Sequence, residues 1–292
     1  MRLPLSLAAI TACVGLTALA AQMPTESPTN LVRQTVQNEI KSSSHARFMY
    51  LDRKQGSHDS QTRLVVETSD VSPEMLVARN DKPISPDERR AEELRLDALS
   101  RNPEELRKRQ KADREETEHT MRIMKALPDA FLYEADGTEP GKQGVGRAGD
   151  SLVRLKFRPN PKYNAPSRVE QVLQGMQGYL LIDAQQHRIA RIDGTLFKDV
   201  NFGWGILGHL DRGGHFLVEQ GDVGKDDWEI TRMDLAFSGK ELLFKNLNIK
   251  SQELCSDFRQ VPFNLTFTQG VELLKKQSPE VADNLPQENK SQ

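Results

Sequence analysis

The 292-residue chain carries 40 Lys and Arg against 42 Asp and Glu, and two cysteines, Cys13 and Cys255. No basic excess argues for a nucleic-acid groove or for attachment to an anionic membrane, so neither is an expected partner from overall charge. Two cysteines exclude a disulfide-dense scaffold, and a chain of this length can stand on a hydrophobic core without metal or disulfide staples.

The first twenty residues read as an export signal. Arg2 is a short positive n-region, Leu3 to Leu19 is uncharged and mostly apolar, and Ala18-Leu19-Ala20 fits the small-x-small cleavage pattern. Cleavage is expected near Ala21 or Gln22, which implies a periplasmic or otherwise exported protein. Ile10-Thr11-Ala12-Cys13 resembles a lipobox, but the apolar run continues past the cysteine, so Cys13 reads as part of the signal. No later run reaches transmembrane length.

Residues 21–29 read as a flexible leader and 30–276 as a single domain. Asn30 is the expected cap of a helix over Leu31–Lys41, and strands are predicted at Arg47–Asp52, Thr62–Thr68 and Glu74–Ala78. Residues 85–127 form a predicted helical insertion. Ser85-Pro86-Asp87-Glu88 and Asn102-Pro103-Glu104-Glu105 are helix starts, and Pro128 is the expected stop. The insertion holds 11 Lys/Arg and 11 Asp/Glu around a thin apolar seam. It reads as a solvated hairpin adding little to stability, or as an arm that docks an envelope protein.

From Asp129 to about residue 254 the chain reads as strands. Leu152–Arg158 alternates, with Val153, Leu155 and Phe157 on one side and Arg154, Lys156 and Arg158 on the other. Further strands are predicted at Phe131–Ala135, Tyr179–Asp183, His187–Val200, His215–Gln220, Trp228–Phe237 and Leu242–Ser251, and a short helix over Ser167–Met176. Hairpin turns are expected at 184–186, 211–214, 221–227 and 238–241, and connections this short give an antiparallel meander. Thr268 is the expected cap of a last helix ending near Lys276, and 277–292 reads as a disordered tail. The predicted class is α+β: a large curved antiparallel sheet, an open half-barrel, wrapped around a few helices.

The hairpin Gly178-Tyr179-Leu180-Leu181-Ile182-Asp183, followed by His187-Arg188-Ile189-Ala190-Arg191-Ile192-Asp193-Gly194, resembles one in the periplasmic lipoprotein-carrier superfamily. That group holds the lipoprotein-localisation factors and a sigma-factor-regulating sensor. The resemblance covers roughly Leu152 to Ser251. The phrase Phe202-Gly203-Trp204-Gly205-Ile206-Leu207-Gly208 is similar to one in uncharacterised exported bacterial proteins. The resemblance implies a lipid or lipoprotein ligand on the concave face of the sheet. The charged insertion departs from the family pattern.

Six histidines share no metal-binding spacing, although His209 and His215 flank a predicted turn. No Gly-x-Ser-x-Gly elbow is present, and Gly141–Gly149 lacks a phosphate-loop ending. No metal, other cofactor or enzymatic activity is therefore expected. Val153, Leu155, Phe157, Trp204, Phe216 and Trp228 are the candidate ligand-binding residues. The alternatives are an interaction or sensor module of the same fold with a filled core, and a secreted hydrolase whose site carries no motif.

Overall fold

A computed structural model describes residues 26–42, 46–56, 58–202, 208–241 and 245–283. The predicted export signal and Trp204 lie outside the described residues, as does Phe244. The elements in chain order are α1 (Pro28–Ser42), β1 (Phe48–Gln55), β2 (Ser60–Val66), β3 (Glu74–Arg79), β4 (Lys82–Pro83), α2 (Pro86–Ser100), α3 (Pro103–Ala130), β5 (Phe131–Pro140) and β6 (Ser151–Pro159). Next come α4 (Arg168–Gln171), a 3-10 turn (Val172–Gly175), β7 (Met176–Asp183), β8 (Arg188–Leu196), β9 (Val200–Phe202) and β10 (Gly208–Leu210). The last are β11 (His215–Gly224), β12 (Asp227–Glu241), β13 (Lys245–Gln260) and α5 (Phe267–Asp283).

The strands form one open antiparallel sheet in the order β4-β3-β2-β1-β13-β12-β11-β8-β7-β6-β5, with β10 on β12 and β9 on β10. The α+β class and the large unclosed antiparallel sheet are as predicted. The meander is broken in two places. β10 pairs with β12 from Gly208↔Glu241 to Leu210↔Gly239, so 211–214 links two strands on the same edge of β12 and is not a hairpin turn. Residues 238–241 continue β12 instead of turning, because they are paired on both sides, by β10 and β13.

Following the register across the sheet separates its faces. Leu155 is joined through Leu180, Ile192, Val218, Met233 and Glu253 to Lys54. Leu51 lies on the opposite face, since neighbours along a strand alternate. The helices divide accordingly. α1, the end of α3 and the 3-10 turn cover Leu155, Phe157 and Leu180. α5 and α2 cover Met49, Leu51, Leu64 and Met75. A twist of about 20–25° per strand accumulates to roughly half a turn over the eight steps from β6 to β3. That rotation lets α3 run from one layer, at Leu106, to the other, at Leu127.

Helix boundaries differ from the sequence reading for local reasons. Ser27, not Asn30, starts α1: its Oγ accepts from the Asn30 N–H at 3.3 Å. α3 passes Pro128 because Ala126, Leu127 and Ala130 are buried at its end, and that burial outweighs one lost backbone bond. α5 runs through Gln277 to Asp283, with Ser278, Val281 and Ala282 buried, so these residues are not part of a disordered tail.

The α2–α3 hairpin belongs to the core. Leu96 and Leu99 are buried in the α2–α5 layer, and Ala126 and Leu127 in the α1–α3 layer. α2 is also tied to the backbone of β3. The Arg95 guanidinium donates to the Glu74 carbonyl at 2.8 Å, and Glu92 accepts from the Leu76 N–H at 3.1 Å. This occupies exposed strand-edge groups that would otherwise invite pairing.

Candidate functional site

The β7–β8 hairpin that carries the family resemblance is held by α1. Asn38 donates to the carbonyls of Gln186 and His187 at 3.0 and 3.2 Å. Glu39 accepts from the Ile189 N–H at 2.6 Å and pairs with Arg188 at 3.1 Å, both side chains being about nine-tenths buried. Burial raises the Glu39 carboxyl above its ordinary value, and Arg188 with the Ile189 N–H opposes that rise. Asp183 closes the turn by accepting from the N–H groups of Gln185 and Gln186, each at 2.9 Å. The result is a fixed angle between α1 and the sheet.

Beside this clamp lies an apolar cavity of about 200 Å³. Its roof is Ile123, Met124 and Leu127 of α3 with Val172 and Leu173 of the 3-10 turn. Its floor is the sheet, from Phe131 and Phe157 through Leu180 and Ile192 to Phe216, Leu235 and Phe237. Tyr133 is the one lining residue with a polar side-chain atom, and its hydroxyl is satisfied by donating to the Leu127 carbonyl at 2.7 Å. The Phe131 and Phe157 rings pack with centroids 4.7 Å apart and make one wall rigid.

The cavity has an open side. On this face α1 and α3 pack over β5 and β8, whereas Phe216, Leu235 and Phe237 on β11 and β12 are only half-buried. Ile249, paired with Phe237 on the same face, is 39 % exposed. The apolar surface therefore continues outward from the cavity along the central strands. A cavity of about 150 Å³ with a wholly apolar lining is large enough for a benzene-sized group. At about 200 Å³ this one has room for a group of similar or slightly larger size.

Of the candidate residues, Phe157 and Phe216 line the cavity. Val153 and Leu155 share their face but are packed in the filled part of the core beneath α1, so they are not lining residues. Trp228 is on the other side of the sheet, with Leu152, Leu181, Ala190 and Val145. Its indole donates to Gln186 at 3.1 Å, and the Arg188 guanidinium lies 5.5 Å from its ring. That small outer core forms because the 141–149 loop folds back over the sheet, where Gly146 adopts φ +70 and a Cβ would meet Leu152 at 2.9 Å.

Sequence reasoning missed the roof. Met124 lies within the predicted helical insertion, and Val172, Leu173 and Met176 lie in the predicted short helix. Nothing local shows that these two segments meet over the same strands.

Polar clusters elsewhere are self-paired. His209 pairs with Asp211 and His215 with Asp193, each at 3.1 Å. The two imidazoles do not face each other, since their partners on β12 are Lys240 and Ala236. Among the described residues, no three His, Cys, Asp or Glu side chains are grouped to hold a metal ion. Burial, with Asp52 and Glu253 nearby, pushes the Cys255 thiol up to about 12, which keeps it protonated and unreactive. A wider groove of about 630 Å³ lies by Arg154, Lys156 and Arg158 on the outer face. Arg154 and Lys156 are already paired with Asp136 and Glu139 there.

No family model matches the chain, and no curated protein matches it either.

Proposed function

We propose that the protein is a non-enzymatic, exported binding protein that takes an acyl chain, free or as part of a lipoprotein, in the apolar cavity beneath α3. The observation that carries this reading is a cavity with a wholly apolar lining that opens sideways onto half-exposed apolar strands. Burying a hydrocarbon there releases about 25 cal/mol per Å² of apolar surface removed from water. No charge has to be desolvated. The hairpin resemblance and the export signal point the same way.

Binding of a fluorescent fatty acyl probe tests it. The wild type is expected to bind saturably. Met124→Trp, which fills the roof from a partly buried position, should abolish binding while the thermal midpoint is retained. Leu155→Ala, in the filled core, should cost about 2–5 kcal/mol of stability and leave probe affinity nearly unchanged below the unfolding transition. Absence of saturable binding by the wild type would overturn the proposal.

A further inference from the structure

The outward side of α3 carries a stripe of cations. At about 100° per residue, Arg107, Lys111, Arg114, Arg122 and Lys125 fall within an arc of about 80°, on the side away from Met124 and Leu127. The stripe runs roughly 27 Å at 1.5 Å rise per residue. All five side chains are exposed. Among the described residues, Arg107, Arg114, Arg122 and Lys125 have no carboxylate within ion-pair distance, and Lys111 reaches Glu115 only at 3.8 Å. Glu118 and Asp129 lie inside the arc and Glu104 on its edge, Asp129 being paired with Arg33 at 2.9 Å. Residues 111–120 are exposed on every side, so the middle of the helix is not shaped by packing.

We propose that this stripe docks the protein on a membrane surface rich in anionic phospholipids, and the proposal rests on the acyl-binding reading above. Charge complementarity names the occupant. Guanidinium groups pair bidentately with phosphate, and a straight row of cations on a rigid helix fits a flat array of headgroups. Met121, half-buried, is the one large apolar side chain beside the stripe, too little for an insertion face, so α3 lies on the headgroups and does not insert. The same two turns that present Arg122 and Lys125 contribute Ile123, Met124 and Leu127 to the cavity roof. Docking along α3 thus holds the cavity about one helix diameter, 10–12 Å, from the lipid.

Co-sedimentation with vesicles tests this with the purified protein. Binding to phosphatidylglycerol-containing vesicles is expected at low salt, with none to pure phosphatidylcholine and a steep loss by 0.5 M salt. Replacing all five cations by Gln should weaken binding about a hundredfold or more. Arg107→Gln with Arg114→Gln, remote from both cores, should give a partial loss even if the fivefold variant folds poorly. Replacing the three arginines, Arg107, Arg114 and Arg122, by Lys should keep binding. Failure of the wild type to bind anionic vesicles would overturn the proposal, as would binding indifferent to the substitutions. Binding of a polyglutamate peptide but not of vesicles would overturn it in favour of an acidic protein partner. Acyl-probe binding is read separately: the Gln variants should retain it, and its absence in a wild type that still binds vesicles would remove the cavity reading and leave the stripe.

Discussion

At the scale of residues, burial makes four carboxylates hard to ionise. Glu229 on β12 is raised from an ordinary value of 4.5 to about 8, first by burial and then by the charge of Glu67, with Arg188 opposing. Glu39, Glu67 and Asp52 shift in the same direction, each mainly by burial. A carboxyl whose folded pKa lies above its unfolded value binds its proton more tightly when folded. Its contribution to stability is full below about 4.5 and is lost as pH rises through 8. The thermal midpoint should therefore be higher at pH 6 than at pH 9, and Glu229→Gln should flatten that slope. An unchanged slope in the variant would show that Glu229 is not the group responsible.

At the scale of elements, the α2–α3 hairpin contradicts its own composition. Its 11 basic and 11 acidic residues read as a solvated appendage, yet Leu96 is 1 % exposed and Leu127 is 5 % exposed. Few apolar residues suffice because each end of the hairpin meets a different core. Replacing 85–127 with a flexible linker would uncover both layers, so the deletion should abolish cooperative unfolding. A folded, cooperatively melting deletion would restore the appendage reading. The capping devices were legible without this context: Ser85 and Glu88 form the predicted capping box, and Asn102 caps α3. Caps act on neighbouring N–H groups within one turn, so sequence is enough to see them.

At the scale of the whole molecule, β1 pairs with β13, so the first strands join the last and the sheet has a single path of eleven strands. The mature protein isolated from its host is expected to begin near Ala21 or Gln22 and to be released in soluble form. N-terminal sequencing and mass measurement check this, and a lipid on Cys13 would refute it.

Strand alternation in β6, the antiparallel class and the starts of α2 and α3 could be read from the sequence, because each follows from contacts between near neighbours. Val153, Leu155 and Phe157 do face inward together. Which of them touches open space was decided only in three dimensions. α1 fills the volume over Leu155, while the gap between α3 and the 3-10 turn leaves Phe157 lining a cavity. Trp228 shows the same limit: an aromatic residue on a strand declares itself buried, but the register sent it to the far face, beneath the folded-back 141–149 loop. The division of helices between the two faces was equally invisible, since it depends on the twist accumulated over the sheet and on β1 meeting β13. Local periodicity says which side of a strand is apolar. Only the tertiary structure says what covers that side.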